Sequence, residues 1–215
     1  MTDSDAPPFD PKAMWEERYG GDDYLYGTDP NEFFRDQVVD LPAGDALCLA
    51  DGEGRNGVFL ATLGHRVTAV DLTEAGIAKA DRLAEDRGVD VSTIVADLAD
   101  FDLGHERWDL IVSIFAHTPP SVRRRLHQAA ATALRPGGRF VLEAYTPDQI
   151  GRSTGGPPIP ELTMTLDGLR QELTGLEIVH GVEIVRTIVE GPGHTGDGAV
   201  VQVVARRAGT GPSGG

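Results

Sequence analysis

The stretch CLADGEGRNGVFLATLGHRVTAVD, residues 48–71, decides the fold. An apolar run precedes a glycine-rich turn, and a second apolar run follows a helical segment. The turn itself, Gly52–Gly57, fits the pattern G-x-G-x-x-G letter for letter. In a strand–turn–helix unit such glycines let the backbone pass close to a ligand, and the helix N-terminus offers free N–H groups. The stretch therefore predicts a site for an adenosine-bearing ligand and leaves open which one.

Strand and helix signals alternate along the rest of the chain. The apolar runs are continuous and do not alternate with polar residues, which is typical of a parallel sheet covered by helices on both faces. We expect a helix at 73–88 with Thr73 as N-cap and Gly88 as its C-terminal glycine. The other expected helices span 10–19, 30–40, 54–64, 119–138 and 165–174, and the expected strands span 45–50, 65–71, 91–96, 108–115 and 139–145.

The end of the chain has a different pattern. LEIVHGVEIVRTIVE (176–190) and AVVQVVARR (199–207) are long β-type runs joined by GPGHTGDG (191–198). Two such runs around a glycine-rich loop predict an antiparallel hairpin. We expect one domain over residues 13–207, with helices at 13–42 that cover the ligand, and disordered segments at 1–12 and 208–215.

Composition excludes several classes of protein. The 215 residues are 40% hydrophobic and 25% charged, which is ordinary for a globular chain. The acidic N-terminus is unlike a signal peptide, and Cys48 has no partner, so we expect a cytoplasmic protein without disulfides or membrane spans. A net charge of −15 disfavours nucleic acid as a partner, and Arg123, Arg124 and Arg125 of SVRRRLH (121–127) are expected to form a solvated helix face. The sequence also has no Cys/His cluster at metal-ligand spacing, so we predict no metal.

Three features favour S-adenosylmethionine (SAM) over NAD at the turn. Asp51 and Glu53 carry negative charge that would repel a pyrophosphate but suits an ammonium and a sulfonium. Asp97, directly after the third strand, can accept a hydrogen bond from an adenine amine while Leu98 covers the ring. Finally, the hairpin ending replaces the second half of a dinucleotide fold. An NAD(P)-dependent oxidoreductase and a non-catalytic SAM-binding sensor are the alternatives.

Five motifs resemble those of the class I SAM-dependent methyltransferases over roughly residues 45–146. They are LADGEGRNG, VTAVDLT, VADLADF, WDLIVSIFAH and LRPGGRFVLEAY. The N-terminal MWEERYGGDDYLYGTDPNEFF is similar to the small tellurite-resistance-type and thiopurine-type members. The resemblance implies a Rossmann-like α/β fold with a seven-stranded, mostly parallel sheet and a C-terminal antiparallel hairpin. It also implies methyl transfer from SAM to a small molecule, with a soft heteroatom (S, Se or Te) suggested by the N-terminal segment.

The same resemblance assigns residues to the cofactor. The methionine part goes to the glycine turn, where Asn56 contacts the carboxylate end or supports the turn. Tyr26 closes over the sulfonium by cation–π attraction, or packs the N-terminal segment onto the sheet. The remaining assignments are Asp51, Gly52 and Gly54 to methionine, Asp71 with the adjoining Leu72 to the ribose region, and Asp97 and Leu98 to the adenine.

The acceptor is expected beyond the carboxyl ends of the strands. His117, after the fourth strand, is the predicted base or positioning donor; the alternative is that it caps a helix or bonds a neighbouring loop. Tyr145 is predicted to line the acceptor pocket, with a core position as the alternative. His194 is expected to be a solvated loop residue, and residues 152–162 a mobile lid or acceptor loop. The acceptor and the oligomeric state remain open.

Overall fold

The computed structural model describes residues 10–209. Most of the two segments that we expected to be disordered lies outside this range. Pro11 and Lys12 belong to the first helix, so that expectation was wrong for them. The elements are α1 Pro11–Tyr19, α2 Glu32–Val38, β1 Asp45–Leu49, α3 Arg55–Thr62, β2 Arg66–Asp71, α4 Glu74–Arg87, β3 Val91–Val95, β4 Trp108–Ile114, α5 Pro120–Ala133, β5 Leu134–Tyr145, α6 Leu166–Glu172, β6 Glu177–Glu190 and β7 His194–Arg206.

The strands form one sheet of seven, in the order β3-β2-β1-β4-β5-β7-β6. β1 to β5 pair in parallel, and β7 runs antiparallel between β5 and β6. This arrangement confirms the predicted Rossmann-like fold with a C-terminal antiparallel hairpin. The order reverses at β1, so β1 and β4 lie at the switch point where open α/β sheets bind ligands.

Helices cover both faces of the sheet, which explains the apolar strands. Leu47 and Cys48, neighbours in β1, are both buried but belong to hydrophobic clusters on opposite faces. The same division holds for Ile111 and Val112 in β4. Within residues 10–209, no helix has the length and apolar character needed to cross a membrane.

Helix α4 has the predicted ends. The Thr73 hydroxyl accepts a hydrogen bond from the Gly76 N–H, and Gly88 ends the helix at a φ of 66°. Helix α5 ends earlier than expected, at Ala133 instead of at the Pro136–Gly138 stretch. Leu134, which is fully buried, already pairs with Trp108 of β4. Burial of Leu134 in the sheet outweighs the helix propensity of the preceding alanines.

The hairpin loop is shorter than predicted. The β6–β7 ladder continues to the pair Glu190–His194, so only residues 191–193 form the turn. The expectation that His194 is a solvated loop residue was therefore wrong: it is the first residue of β7 and is 6% exposed. Glycines at 196 and 198 weakened the strand signal in the sequence, but they pair within the ladder all the same.

A buried set of charged and amide side chains joins the hairpin to the rest of the fold. The Arg186 guanidinium donates to Glu143 at 2.7 Å and to Glu190 at 3.1 Å. The Asn31 amide bridges the same two carboxylates, at 2.5 Å and 2.8 Å. We call this set the carboxylate network; its members are Asn31, Arg55, Glu143, Arg186, Glu190 and Gln202.

Removing one cation from the carboxylate network should destabilise the protein strongly. We expect Arg186→Met to lower the free energy of unfolding by about 3–5 kcal/mol, because it leaves the fully buried Glu143 carboxylate short of a partner. Urea denaturation followed by circular dichroism measures this. The matched control is Arg170→Met, whose ion pair with Asp167 is exposed and whose loss should cost less than about 1 kcal/mol. Equal effects of the two substitutions would contradict the prediction.

Candidate functional site

The glycine turn between β1 and α3 requires its glycines for two different reasons. Gly52 has a φ of 58°, and a Cβ there would lie 2.8 Å from the Tyr19 hydroxyl oxygen. Gly54 has a φ of 89°, and a Cβ there would lie 2.6 Å from the Cβ of Ala80 in α4. Gly52 thus lets the turn pass directly beneath the Tyr19 side chain, and Gly54 lets α3 and α4 approach closely.

Asp51 brings a partly buried carboxylate to this turn. Its oxygens accept from the Gly57 N–H at 3.1 Å and 3.3 Å, and no basic side chain within residues 10–209 forms an ion pair with it. Burial raises the pKa of the Asp51 carboxyl to about 7, and the nearby Asp71 charge adds to the shift. A cation bound beside Asp51 would therefore be strongly favoured.

Glu53 has a different role from the one expected. Its carboxylate forms a buried ion pair with Lys79 at 2.8 Å and accepts from the backbone N–H groups of Leu25 and Tyr26. All of its contacts are within the protein, so it fastens the N-terminal segment to the turn. The expectation that Glu53 presents free negative charge to a ligand was wrong, because Lys79 lies 26 residues away and this pairing was not visible in the sequence.

Asp71 closes the glycine turn from β2. One carboxylate oxygen accepts from the Gly52 N–H at 2.9 Å, and the other accepts from the backbone N–H and the hydroxyl of Thr73. Burial raises the pKa of Asp71, although these hydrogen bonds oppose the shift. Asp71 thus shapes the turn, and its ribose contact stays a prediction, as does that of the half-buried Leu72 beside it.

The predicted adenine residues lie after β3. Asp97 is exposed, and its carboxylate accepts from the Ala99 N–H at 2.7 Å. Leu98 is buried and lines a small cavity beneath this loop. The other residues around that cavity are Leu49, Ser113, Ala116, Thr118, Arg123, Leu126 and His127. An apolar wall beside an exposed carboxylate suits a flat ring with an amino group.

Of the three arginines of α5, Arg124 and Arg125 are exposed, as expected, whereas Arg123 is half-buried. Arg123 pairs with Glu172 at 3.0 Å and donates to the Thr163 carbonyl, so it fastens the segment before α6. Arg125 donates to the Leu98 carbonyl and so holds the predicted adenine loop. The pattern of three consecutive arginines gave no sign of these partners, which lie 27 to 49 residues away.

Residues 11–31, which we call the cover, lie over the glycine turn. The Glu16 carboxylate accepts from the first N–H groups of α4, at Glu74 and Ala75. The Tyr24 hydroxyl donates to the Lys79 carbonyl, so this side chain fixes the cover to α4. Tyr26 reaches further, and its ring centroid lies 4.3 Å from that of His194. Trp15 stacks on Tyr19 at 5.2 Å, as expected for a pair that packs α1 onto the domain.

His117 is held by backbone groups on both sides. Its Nδ1 lies 2.8 Å from the Leu162 carbonyl oxygen, and the Tyr145 N–H points to its Nε2 at 3.3 Å. Burial lowers its pKa to about 4. The geometry favours the alternative that His117 bonds a neighbouring loop, and its role as a base stays a prediction.

Tyr145 is fully buried at the end of β5. Its hydroxyl donates to the Thr154 carbonyl at 3.2 Å, and its ring lies 4.7 Å from that of Phe115. Burial and the neighbouring acidic groups raise its pKa. These contacts favour the core position; the pocket-lining role stays a prediction.

The structure adds three residues to the predicted site: Arg55, Glu190 and His194. Arg55, at the start of α3, donates to Glu190 at 2.6 Å, and Glu190 lies beside His194. Asn56 accepts from the Asn31 N–H at 3.0 Å, so it links the turn to the cover and supports the second of its two expected roles. Arg55 and Glu190 are 135 positions apart in the sequence, and this separation hid the pairing.

The glycine turn, Asp51 and the leucines beside it fit the adenosine and amino-acid parts of SAM. Asp51 offers a partly buried carboxylate that forms no ion pair within residues 10–209, and the glycines of the turn permit close contacts that a side chain would block. Metal ligation has no comparable basis, because residues 10–209 contain no group of three or more His, Cys, Asp or Glu side chains placed to hold an ion.

Comparisons with known proteins agree with this fold. A family model described as a methyltransferase domain matches residues 46–138. TehB from Haemophilus influenzae superposes with a TM-score of 0.67 at 20% identity, covering 91% of this chain and 66% of that one. The N-methyltransferase NodS from Bradyrhizobium japonicum WM9, in complex with S-adenosyl-L-homocysteine (SAH), gives 0.66 at 19%, covering 91% and 97%.

A further structure, from work on the conversion of a disulfide bond into a thioacetal group during echinomycin biosynthesis, gives a TM-score of 0.72 at 22% identity and covers 94% of this chain and 92% of that one. No curated protein sequence matches the chain. At these identities the solved structures show the fold, and the family model covers the glycine turn and β2. The resemblance to class I SAM-dependent methyltransferases is confirmed, and SAM is the cofactor that it indicates.

Removing the Glu53 charge should loosen the cover. We expect Glu53→Gln to speed hydrogen exchange at the Leu25 and Tyr26 amides at least about tenfold, since each loses a hydrogen bond to a charged acceptor. Hydrogen exchange read by NMR measures this. Glu85→Gln, on the exposed side of α4, is the control and should leave both rates unchanged. Unchanged rates in a folded Glu53→Gln variant would show that Glu53 does not hold the cover.

Proposed function

We propose that this protein transfers the methyl group of SAM to a small-molecule acceptor, with sulfur or another soft heteroatom as the methylated atom. The observation that carries the proposal is the partly buried Asp51 carboxylate, which forms no ion pair with a basic side chain within residues 10–209 and lies beside the glycine turn. SAM supplies a methyl group already activated on a sulfonium. The protein is therefore left to bind, orient and exclude water.

Each part of the proposed cofactor site has a defined task. Asp51 holds the ammonium group, and the turn from Gly52 to Gly54 lets the backbone approach the methionine part. Asp71 holds the turn in shape and receives the ribose hydroxyls. Leu98 forms the apolar wall for the adenine, and the exposed Asp97 accepts from its amino group.

Aromatic rings support a soft acceptor atom. Tyr26 from the cover, Phe115 after β4 and Tyr145 at the end of β5 all lie within 5.5 Å of the His194 ring, measured between centroids. Polarisable rings favour sulfur and its heavier relatives, and they exclude water from the transfer. A net charge of −15 further supports a small molecule over nucleic acid.

Binding of SAH tests the cofactor assignment directly. We expect isothermal titration calorimetry to show SAH binding with a micromolar dissociation constant and no binding of NADH. Binding of NADH without SAH would replace the proposal with an oxidoreductase. Binding of SAM with no methyl transfer to thiols, selenols, oxyanions of tellurium, amines or phenols would favour a SAM-binding sensor.

The pKa of Asp51 predicts that cofactor binding depends on pH. With a pKa of about 7 in the free protein, Asp51 is mostly protonated at pH 6 and must ionise to hold an ammonium group. Affinity for SAH should therefore rise about tenfold from pH 6 to pH 8, with release of most of one proton per site at pH 6.

Titration calorimetry in two buffers of different ionisation enthalpy measures that proton release. Asp51→Asn should bind SAH weakly and without proton release, whereas Asp97→Asn should bind less tightly but keep the pH dependence. Proton release that persists in Asp51→Asn would assign the linkage to another group and remove Asp51 from the proposed site.

A further inference from the structure

Buried polar atoms without partners mark places where a ligand is missing or chemistry occurs. Within residues 10–209 there are three such side-chain nitrogens, at Arg55 Nη1, His65 Nε2 and His194 Nδ1. Two of the three lie against the same carboxylate. Arg55 donates to Glu190 through its other nitrogen at 2.6 Å, and His194 Nδ1 is 3.7 Å from the same Glu190 oxygen.

The residues around His194 orient its ring but do not satisfy the hydrogen-bonding capacity of its two nitrogens. Its Nδ1 faces Glu190 at a distance slightly longer than a hydrogen bond. Its Nε2 hydrogen-bonds to no group within residues 10–209. Rings of Tyr26, Phe115 and Tyr145 surround the imidazole, with centroids 4.3, 4.7 and 5.5 Å away. One nitrogen is thus turned to a carboxylate, and the other is available to a ligand.

Contacts through Glu190 and Arg55 connect His194 to the proposed cofactor site. Arg55 directly follows Gly54 in the glycine turn, and its charge acts on Asp51, Tyr26 and His194. Glu190 therefore connects the hairpin to the turn through one guanidinium. The Tyr26 ring, which stands against His194, belongs to the cover that Glu53 fastens to the same turn.

We propose that His194 accepts the proton of a protic methyl acceptor, a thiol or phenol-type group, and that Glu190 orients its imidazole for this task. The inference rests on the proposed methyl transfer. The acceptor's lone pair forms the bond to the methyl carbon, the methyl–sulfur bond breaks with its electrons left on sulfur, and the acceptor's proton goes to His194 Nε2. The positive charge thus moves from the sulfonium to the imidazolium.

The charges around His194 suit a base. Burial lowers the pKa of His194, so the imidazole is neutral near pH 7 and free to take a proton. Burial opposes ionisation of Glu190, but the contact with His194 and the charges of Arg55 and Arg186 hold its pKa at about 2, so its carboxylate is ionised and stabilises the imidazolium once it forms. The other titratable and charged groups nearby are Arg18 on α1, Tyr26 in the cover, and His117 and Tyr145 at the strand ends.

Thiols of different acidity separate a base from a merely structural histidine. The probes are 4-nitrobenzenethiol, which is ionised at pH 7, and benzyl mercaptan, which is largely protonated there. We expect His194→Gln to lower kcat for benzyl mercaptan at least about a hundredfold while changing kcat for 4-nitrobenzenethiol less than about threefold, because an ionised thiol needs no base. For benzyl mercaptan, the loss should shrink as pH rises towards the thiol pKa. His105→Gln, in an exposed loop before β4, is the control and should match the wild type.

Other outcomes overturn the proposal. Equal losses with the two thiols would make His194 a structural or binding residue. SAH binding with no methylation of either thiol by the wild type would remove the protic acceptor, while the proposed cofactor site would stand. Failure to bind SAH would instead remove the proposed function itself.

Nitrogen-15 NMR of histidine-labelled protein gives a readout that needs no turnover. We expect the His194 signals, assigned through their loss in His194→Gln, to show a proton on Nδ1 and none on Nε2 at pH 7. In Glu190→Gln the preference for this tautomer should fall, because the carboxylate that attracts the Nδ1 proton is gone. A proton on Nε2 in the wild type would exclude His194 as the base.

Discussion

The position of the Glu190 carboxylate governs the arrangement of the acceptor side. A buried carboxylate is costly unless cations and hydrogen-bond donors surround it. Arg55 follows the glycine turn, and Asn31 lies at the end of the cover. Arg186 lies four residues before Glu190 on the same strand. Each partner must therefore be in place for the others to be stable. This requirement fixes the hairpin relative to the cofactor turn.

The second carboxylate of the network extends this constraint into the sheet. Glu143 lies near the carboxyl end of β5, fully buried, and accepts hydrogen bonds from Arg186 and Gln202. Two carboxylates and two guanidiniums leave the network neutral, so it places no net charge next to the proposed acceptor. Asp51, on the proposed cofactor side of the turn, has a pKa raised to about 7 and becomes fully negative when a cation binds beside it. The two sides of the turn thus differ in charge, which suits a cationic cofactor on one side and a neutral acceptor on the other.

The sequence allowed the sheet and the position of the turn to be predicted because both depend on local patterns. Thr73 and Gly88 bound α4 as their residue types indicate, and Asp71 ends β2 beside the turn. The predictions that failed concern pairings across long separations. Glu53 and Asp51 are two residues apart and carry the same charge in the sequence. Only the folded chain shows that Lys79 pairs with Glu53, while Asp51 forms no ion pair within residues 10–209. The register of β6 against β7, set by the ladder over thirteen pairs, decides that His194 is buried.

The two histidines near Tyr145 show why a residue's position in the sequence does not determine its chemistry. His117 follows a strand at the expected edge, but that same position gives it the backbone of Leu162 and Tyr145 as neighbours, and they occupy both nitrogens. His194 begins a strand beside a three-residue turn, and its neighbours are aromatic rings and one carboxylate. Rings can exclude water from an imidazole without taking its lone pair. A histidine surrounded by aromatic side chains therefore keeps a ring nitrogen free of hydrogen bonds. In a histidine surrounded by backbone groups, both nitrogens are hydrogen-bonded.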